Sequence, residues 1–292
     1  MLSLSKVKFR YSNKRSFSFD FTIPYQQKVA LIGANGSGKS TLIKLVTGQI
    51  EAESGSITLD NLEQTKQTER FKQHIGFMPD KFPALSEYST AEFLAWSWRI
   101  KSQGNVEQSQ FDDDLNYICR QLDFSEILST PLSRLSLGQL QKINLTQAII
   151  NKPKLLIFDE PLNGLDPYQQ QQFWKLISEY NSESSLLIAS HNLTDVIQHC
   201  DRLLLVEQGE IKLDINFRKF NYLAALKERS SETVRLNQEQ IETISDNIIL
   251  FEQSDQLDRF VSQNKVAILE YGLLSDTMPA LFQHAAEGNW QW

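Results

Sequence analysis

The chain has 292 residues, 41% hydrophobic and 22% charged, with a formal net charge of −7. That describes an ordinary globular protein with a sizeable core, and the acidic balance disfavours a protein whose main work is gripping a nucleic-acid backbone. Cys119 and Cys200 are too few for a disulfide framework or a zinc cluster, which fits a reducing compartment. No apolar run approaches the ~18 residues of a membrane span, and Met1–Lys6 opens into strand-like alternation, not a signal peptide.

Residues 2–11 and 17–23 alternate apolar and polar positions, with Val7, Phe9 and Tyr11, then Phe17, Phe19, Phe21 and Ile23. This period of two predicts half-buried antiparallel strands joined by a turn at Asn13-Lys14-Arg15. Lys28–Ile32 predicts a short buried strand. A glycine-rich turn follows, then a helix with Leu42, Ile43, Leu45 and Val46 at helical spacing, ended by Gly48. Ser54-Gly55-Ser56 breaks into a strand at Ile57–Leu59, residues 61–72 form a polar surface helix or loop, and His74–Met78 is a buried strand stopped by Pro79.

From Ala84 to about Thr130 the apolar residues fall at helical spacing (Phe93, Leu94, Trp96, Ile100, then Leu115, Ile118, Leu122), predicting a helical insert. Asp112-Asp113-Asp114 within it reads as a solvated helix N-terminus. Ser136–Ile150 predicts a helix, Leu155–Phe158 and Leu186–Ala189 buried strands, and Leu203–Val206 with Glu210–Leu213 a hairpin about Gln208-Gly209. Gln169–Gln172 is the solvated surface of a helix. Beyond residue 214 the pattern predicts a small α+β appendage. Its elements are a helix near Tyr222–Lys227, strands at Thr233–Leu236 and Asn247–Phe251, a helix near Gln256–Gln263, a strand at Val266–Tyr271 and a helix near Thr277–Ala286.

Four stretches carry chemistry. Gly33-Ala34-Asn35-Gly36-Ser37-Gly38-Lys39-Ser40-Thr41 reads G-x-x-x-x-G-K-S between a strand and a helix, the phosphate-binding P-loop. Glycines let backbone approach phosphate, and helix N–H groups with the helix dipole favour the anion. Lys39 is placed to reach the β- and γ-phosphates and the Ser40 hydroxyl to ligate Mg²⁺. Second, Leu155–Phe158 ends in Asp159-Glu160, setting two carboxylates at the tip of a buried strand: Asp159 for Mg²⁺, Glu160 as general base toward water. Third, Leu135-Ser136-Leu137-Gly138-Gln139 opens a helix between the P-loop and the acidic strand; on its own residues it could equally be a helix cap. Fourth, Ser190-His191-Asn192 follows the next buried strand. His74, His199 and His284 have no such context and read as structural.

Taken together, these stretches resemble the ATP-binding cassette (ABC) ATPase family over about residues 1–214. Leu135–Gln139 is similar to its L-S-G-G-Q signature, with Leu137 in place of the first glycine. The resemblance implies an α/β P-loop NTPase fold, with a RecA-like core, an antiparallel β subdomain and a helical subdomain at about 84–150; the α+β appendage at 215–292 lies beyond it. It implies that Ser136, Gly138 and Gln139 bind the γ-phosphate of ATP held by a second protomer. His191 resembles the switch histidine, Asn163-Gly164-Leu165-Asp166 the loop that communicates between protomers, and Tyr11 the aromatic that stacks on adenine. Where the family usually has glutamine, this chain has Asp80, which can ligate a cation but cannot donate a hydrogen bond when ionised. Leu137, Asp80, and the closing Val266–Glu270 and Asp276–Phe282 stretches resemble the branch serving drug-resistance and other ABC-2-type exporters. The implied cofactors are ATP and Mg²⁺. The implied partners are a second ATPase protomer and an integral-membrane transporter subunit holding the chain at the cytoplasmic face, with no nucleic acid. The competing readings are a soluble ABC ATPase of translation or DNA maintenance, and a weakly hydrolysing partner in a heterodimer.

Overall fold

The computed structural model describes residues 1–12, 15–82, 87–102, 107–191, 193–217, 222–226, 241–245, 248–264 and 268–286. Its elements begin with strands β1 (Leu2–Arg10), β2 (Ser16–Ile23) and β3 (Lys28–Ile32), helix α1 (Lys39–Val46), β4 (Ser54–Leu59), β5 (Leu62–Glu63), α2 (Thr68–Gln73) and β6 (Ile75–Met78). Three helices follow, α3 (Thr90–Ser102), α4 (Gln108–Leu122) and α5 (Leu137–Ile149). Then come β7 (Leu155–Asp159), α6 (Pro167–Tyr180), β8 (Ser185–Ala189), α7 (Leu193–His199), β9 (Arg202–Glu207) and β10 (Glu210–Asn216). The chain closes with β11 (Tyr222–Leu226), β12 (Ile241–Ser245), β13 (Ile248–Phe251), α8 (Ser254–Asn264), β14 (Ile268–Leu273) and α9 (Leu274–Ala286).

Ten strands form one sheet in the order β5-β4-β1-β2-β10-β9-β3-β8-β7-β6. β1, β2, β4 and β5 pair antiparallel, whereas β9, β3, β8, β7 and β6 run parallel. The parallel strands are short apolar runs because both faces are covered. Side chains alternate across a strand, so Ala30, Ile32, Leu156, Phe158, Leu186 and Ile188 enter one core cluster with α3–α7. Val29, Leu31, Leu155, Ile157, Leu187 and Ala189 enter the other, with α1 and the β1–β2–β4 strands. The carboxyl ends of β3, β7, β8 and β6 therefore lie side by side, where ligands collect in open α/β sheets.

The remaining strands form a second sheet, β12-β13-β11-β14. Here one expectation fails. Tyr222–Leu226 is a strand, not a helix, pairing with both β13 and β14. As an interior strand it buries both faces: Leu223 and Ala225 join the main core with Met278 and Leu281 of α9, while Ala224 and Leu226 pack with Leu257 and Phe260 of α8. Covering both faces erases the alternation that would have marked it. The α8, β13, β14 and α9 expectations match in type, with bounds shifted by a few residues at most. Residues 61–72 resolve into β5 and most of α2. Thr233–Leu236, Asn13-Lys14 and Ala84 lie outside the described residues, as do Asn192, Asn247 and Val266. Cys119 and Cys200 are free and buried, and among the described residues no helix is long and apolar enough to cross a membrane.

Candidate active site

Gly33 leaves β3 at φ 149°. A Cβ there would sit 2.2 Å from the Val206 carbonyl oxygen of β9, so the loop can turn only at a glycine. The β9–β10 turn braces the loop, since the Gly209 amide donates to the Ser37 carbonyl at 2.8 Å. Within the loop the Lys39 ammonium donates to the carbonyls of Gly33 at 2.6 Å and Ala34 at 3.3 Å. Burial lowers the Lys39 pKa, opposed by the charges of Glu160 and Asp159.

Across the cavity β7 ends in Asp159, and Glu160 takes φ 53°, the left-handed region. For a non-glycine residue this costs on the order of 1 kcal/mol or more and persists only when surrounding structure demands it. The Glu160 amide donates to the Ala189 carbonyl at the end of β8, 2.9 Å away, pinning the two strand ends together. The Glu160 carboxylate then meets His191, with its Oε2 2.7 Å from Nδ1 and 3.3 Å from the His191 amide. The Asp159 carboxyl is pushed up to about 6 by burial, then by the nearby charges of Asp80 and Glu160.

A cavity of about 530 Å³ is lined by Tyr11, Asn35, Gly36, Gly38, Lys39, Ser40, Thr41, Asp80, Asp159 and Glu160, with Arg15 and Phe17 beside them. Thus ten of the residues named from sequence converge on one space, with His191 attached through Glu160. Gly33 and Ala34 are joined to it through Lys39, and the buried Ser37 hydroxyl has no partner there. Ser136, Gly138, Gln139 and Asp166 are not in the lining. Ser136 and Gln139 form a capping box opening α5, and Asp166 and Gln169 another opening α6. His74 Nδ1 lies 2.7 Å from the Arg70 carbonyl, and His199 stacks on Trp174 at 4.4 Å. Asp112-Asp113-Asp114 lie in the second turn of α4, not at its N-terminus as expected, because the helix already opens at Gln108; Asp112 and Asp114 engage Gln108 and Lys152.

Sequence reading missed two features. Asn144, only 1% exposed, donates from its amide to the Pro79 carbonyl at 2.9 Å, and Gln147 to the Phe77 carbonyl at 2.6 Å. These bonds bolt the helix that opens at Ser136 to β6 and to Pro79, which leads from that strand to Asp80. No local signal marks contacts between residues 65 and 70 positions apart, although two amides among the apolar residues of α5 were visible as polar groups needing partners. The other is Arg15, treated below.

A strand, a P-loop and a helix N-terminus facing paired carboxylates define a P-loop nucleotide-binding protein. The ABC transporter family model matches residues 17–163. The lantibiotic transport ATP-binding protein SrtF of Streptococcus pyogenes is 32% identical over 216 residues, covering 73% of this chain and 90% of that protein. The zinc import ATP-binding protein ZnuC of Psychrobacter arcticus is 32% identical over 71% of this chain and 80% of its own. The uncharacterized ABC transporter ATP-binding protein YdbJ of Bacillus subtilis is 30% identical over 65% of this chain, and the match spans only 60% of that relative. A solved ATP-binding subunit of an ABC transporter superposes with TM-score 0.70 at 24% identity, over 74% of this chain and 90% of its own. The chain belongs to the ABC transporter family, as an ATP-binding subunit of the ATPase fold.

Proposed function

We propose that the chain hydrolyses ATP in this cavity to drive a separate membrane subunit, and that the transporter is an exporter of the ABC-2 type. The observation that carries the hydrolytic reading is the Glu160–His191 contact of 2.7 Å beside the P-loop. Glu160 accepts the proton of the attacking water, and His191 orients the carboxylate and faces the γ-phosphate. Lys39 exchanges the Gly33 and Ala34 carbonyls for phosphate oxygens, and Tyr11 stacks on adenine. Ser40, Asp159 and Asp80 are hard oxygen donors lining the same cavity, as Mg²⁺ prefers together with phosphate and water. When bound, Mg²⁺ neutralises charge on the β- and γ-phosphates.

Ser136, Gly138 and Gln139 complete the site of a second protomer. Two features support an approach there: a Cβ at Gly138 would meet nothing within 4 Å, and Leu137 is 67% exposed. Asp166 caps the helix that follows the inter-protomer loop. Leu137 and Asp80 favour the exporter branch. Residues 1–214 are the nucleotide-binding domain, with a helical subdomain at about 84–150, and 215–292 an accessory domain packed on it through α9. The membrane subunit holds the chain at the cytoplasmic face.

Glu160→Gln tests the reading. The variant binds ATP and dimerises with it, and its turnover falls by about 10²–10⁴. Near-normal turnover would remove Glu160 from the role of base.

A further inference from the structure

Tyr11, Arg15 and Phe17 bring the end of β1 and the start of β2 to the cavity. The Tyr11 amide donates to the Arg15 carbonyl at 3.1 Å, closing the turn. The Tyr11 and Phe17 rings meet edge-on at 5.7 Å. The Arg15 guanidinium lies over the Phe17 ring, 5.5 Å from its centroid, and donates to the Gly36 carbonyl of the P-loop. A Cβ on Gly38 would come within 3.1 Å of the Phe17 ring, so the ring packs directly on the loop. The side chain is thus held on an aromatic face, at the loop that receives phosphate.

Among the lining residues three carboxylates, Asp80, Asp159 and Glu160, face two cations, Lys39 and Arg15. A polyphosphate entering that space meets an excess of negative charge, which a second cation offsets. A guanidinium is also the group whose planar fork matches phosphate oxygens bidentately.

We propose that Arg15 is a nucleotide-binding residue, pairing with phosphate oxygens at the sugar-proximal end of a bound nucleoside di- or triphosphate. The proposal rests on reading the cavity as the ATP site with adenine on Tyr11, which sets Arg15 toward the α- and β-phosphates, not the γ. Phosphates shared by ADP and ATP are held alike before and during hydrolysis, so the contact acts on KM more than on kcat.

Calorimetric titration of the full chain with ADP and with Mg²⁺–ATP tests this, using wild type, Arg15→Ala, Arg15→Lys and Lys39→Ala. Arg15→Ala weakens both nucleotides about tenfold, as expected for a charge-assisted hydrogen bond. Arg15→Lys recovers part of that loss. Affinity becomes less sensitive to salt in Arg15→Ala, a change that a turn-bracing role alone would not produce. Affinities within about twofold of wild type for both nucleotides, or a loss confined to ATP, would overturn the proposal. If wild type binds neither nucleotide, or Lys39→Ala binds as wild type does, the reading of the site fails instead.

Discussion

Asn144→Ala probes the bolt between α5 and the Asp80 loop. Asn144 is 1% exposed, donates to the Pro79 carbonyl at 2.9 Å, and accepts from the Gln147 amide at 3.3 Å. Truncation loses about 1 kcal/mol for the net hydrogen bond and strands the Pro79 carbonyl away from its donor, at about 1–3 kcal/mol. Gln147 keeps its bond to Phe77, so the total is about 2–4 kcal/mol. At about 2–4 °C per kcal/mol for a chain of this size, Tm falls by roughly 5–15 °C. Denaturant unfolding measures the first quantity. ATPase activity against Mg²⁺ concentration measures the consequence for the site: with Pro79 released, Asp80 is held less well and half-saturation moves to higher Mg²⁺. Asn144→Asp adds a sign test. A buried carboxylate cannot donate to Pro79, but its protonated form can, so that variant regains stability as pH is lowered through its raised pKa. A stability change below about 0.5 kcal/mol for Asn144→Ala, with Mg²⁺ dependence unchanged, would refute the bolt.

Two further outcomes follow from geometry. Gly33→Ala sets a Cβ 2.2 Å from the Val206 carbonyl in a backbone region that disfavours side chains. The loop must move off β9, and ATP affinity measured by titration falls at least as far as in Lys39→Ala; wild-type affinity would refute this. Lys154→Met removes a partner 2.7 Å from Asp60. Burial pushes the Asp60 carboxyl up, but hydrogen bonds from Lys154, the amino terminus and Tyr25 outweigh it and hold it well below the usual range. A depressed carboxyl stabilises above its unfolded pKa of about 3.9 and loses that contribution as pH falls through the folded value. Since Lys154 is half exposed, the substitution costs less than about 1 kcal/mol at pH 7, and the cost fades in acid unfolding experiments. A pH-independent loss would point to packing instead.

Much of the site was legible because phosphate chemistry confines its residues to contiguous motifs. A glycine loop, its lysine and the start of the helix behind it occupy nine successive positions, Gly33–Thr41, and Asp159-Glu160 ends an unmistakably buried strand. What joins separate motifs was not legible. Asn144 reaches Pro79 across 65 residues and Glu160 reaches His191 across 31, and neither contact leaves a periodic trace. β11 was misread for a related reason: an interior strand with both faces buried loses the alternation by which a strand is recognised.

By itself, then, the sequence determined that a strand–loop–helix unit binds phosphate, that two carboxylates stand at a strand tip, and that apolar runs of four residues are interior strands. These are properties of neighbouring residues, set by backbone sterics and the period of side-chain burial. Only the tertiary structure decided which strand ends lie side by side, and so which of those groups share a cavity. Parallel order β9-β3-β8-β7-β6 puts Lys39, Glu160 and His191 within one site and swings Glu160 into a left-handed turn to meet His191. The same closure laid Arg15, from a turn with no motif of its own, against the P-loop. Such proximity is created by strand pairing between distant segments, which no local pattern encodes.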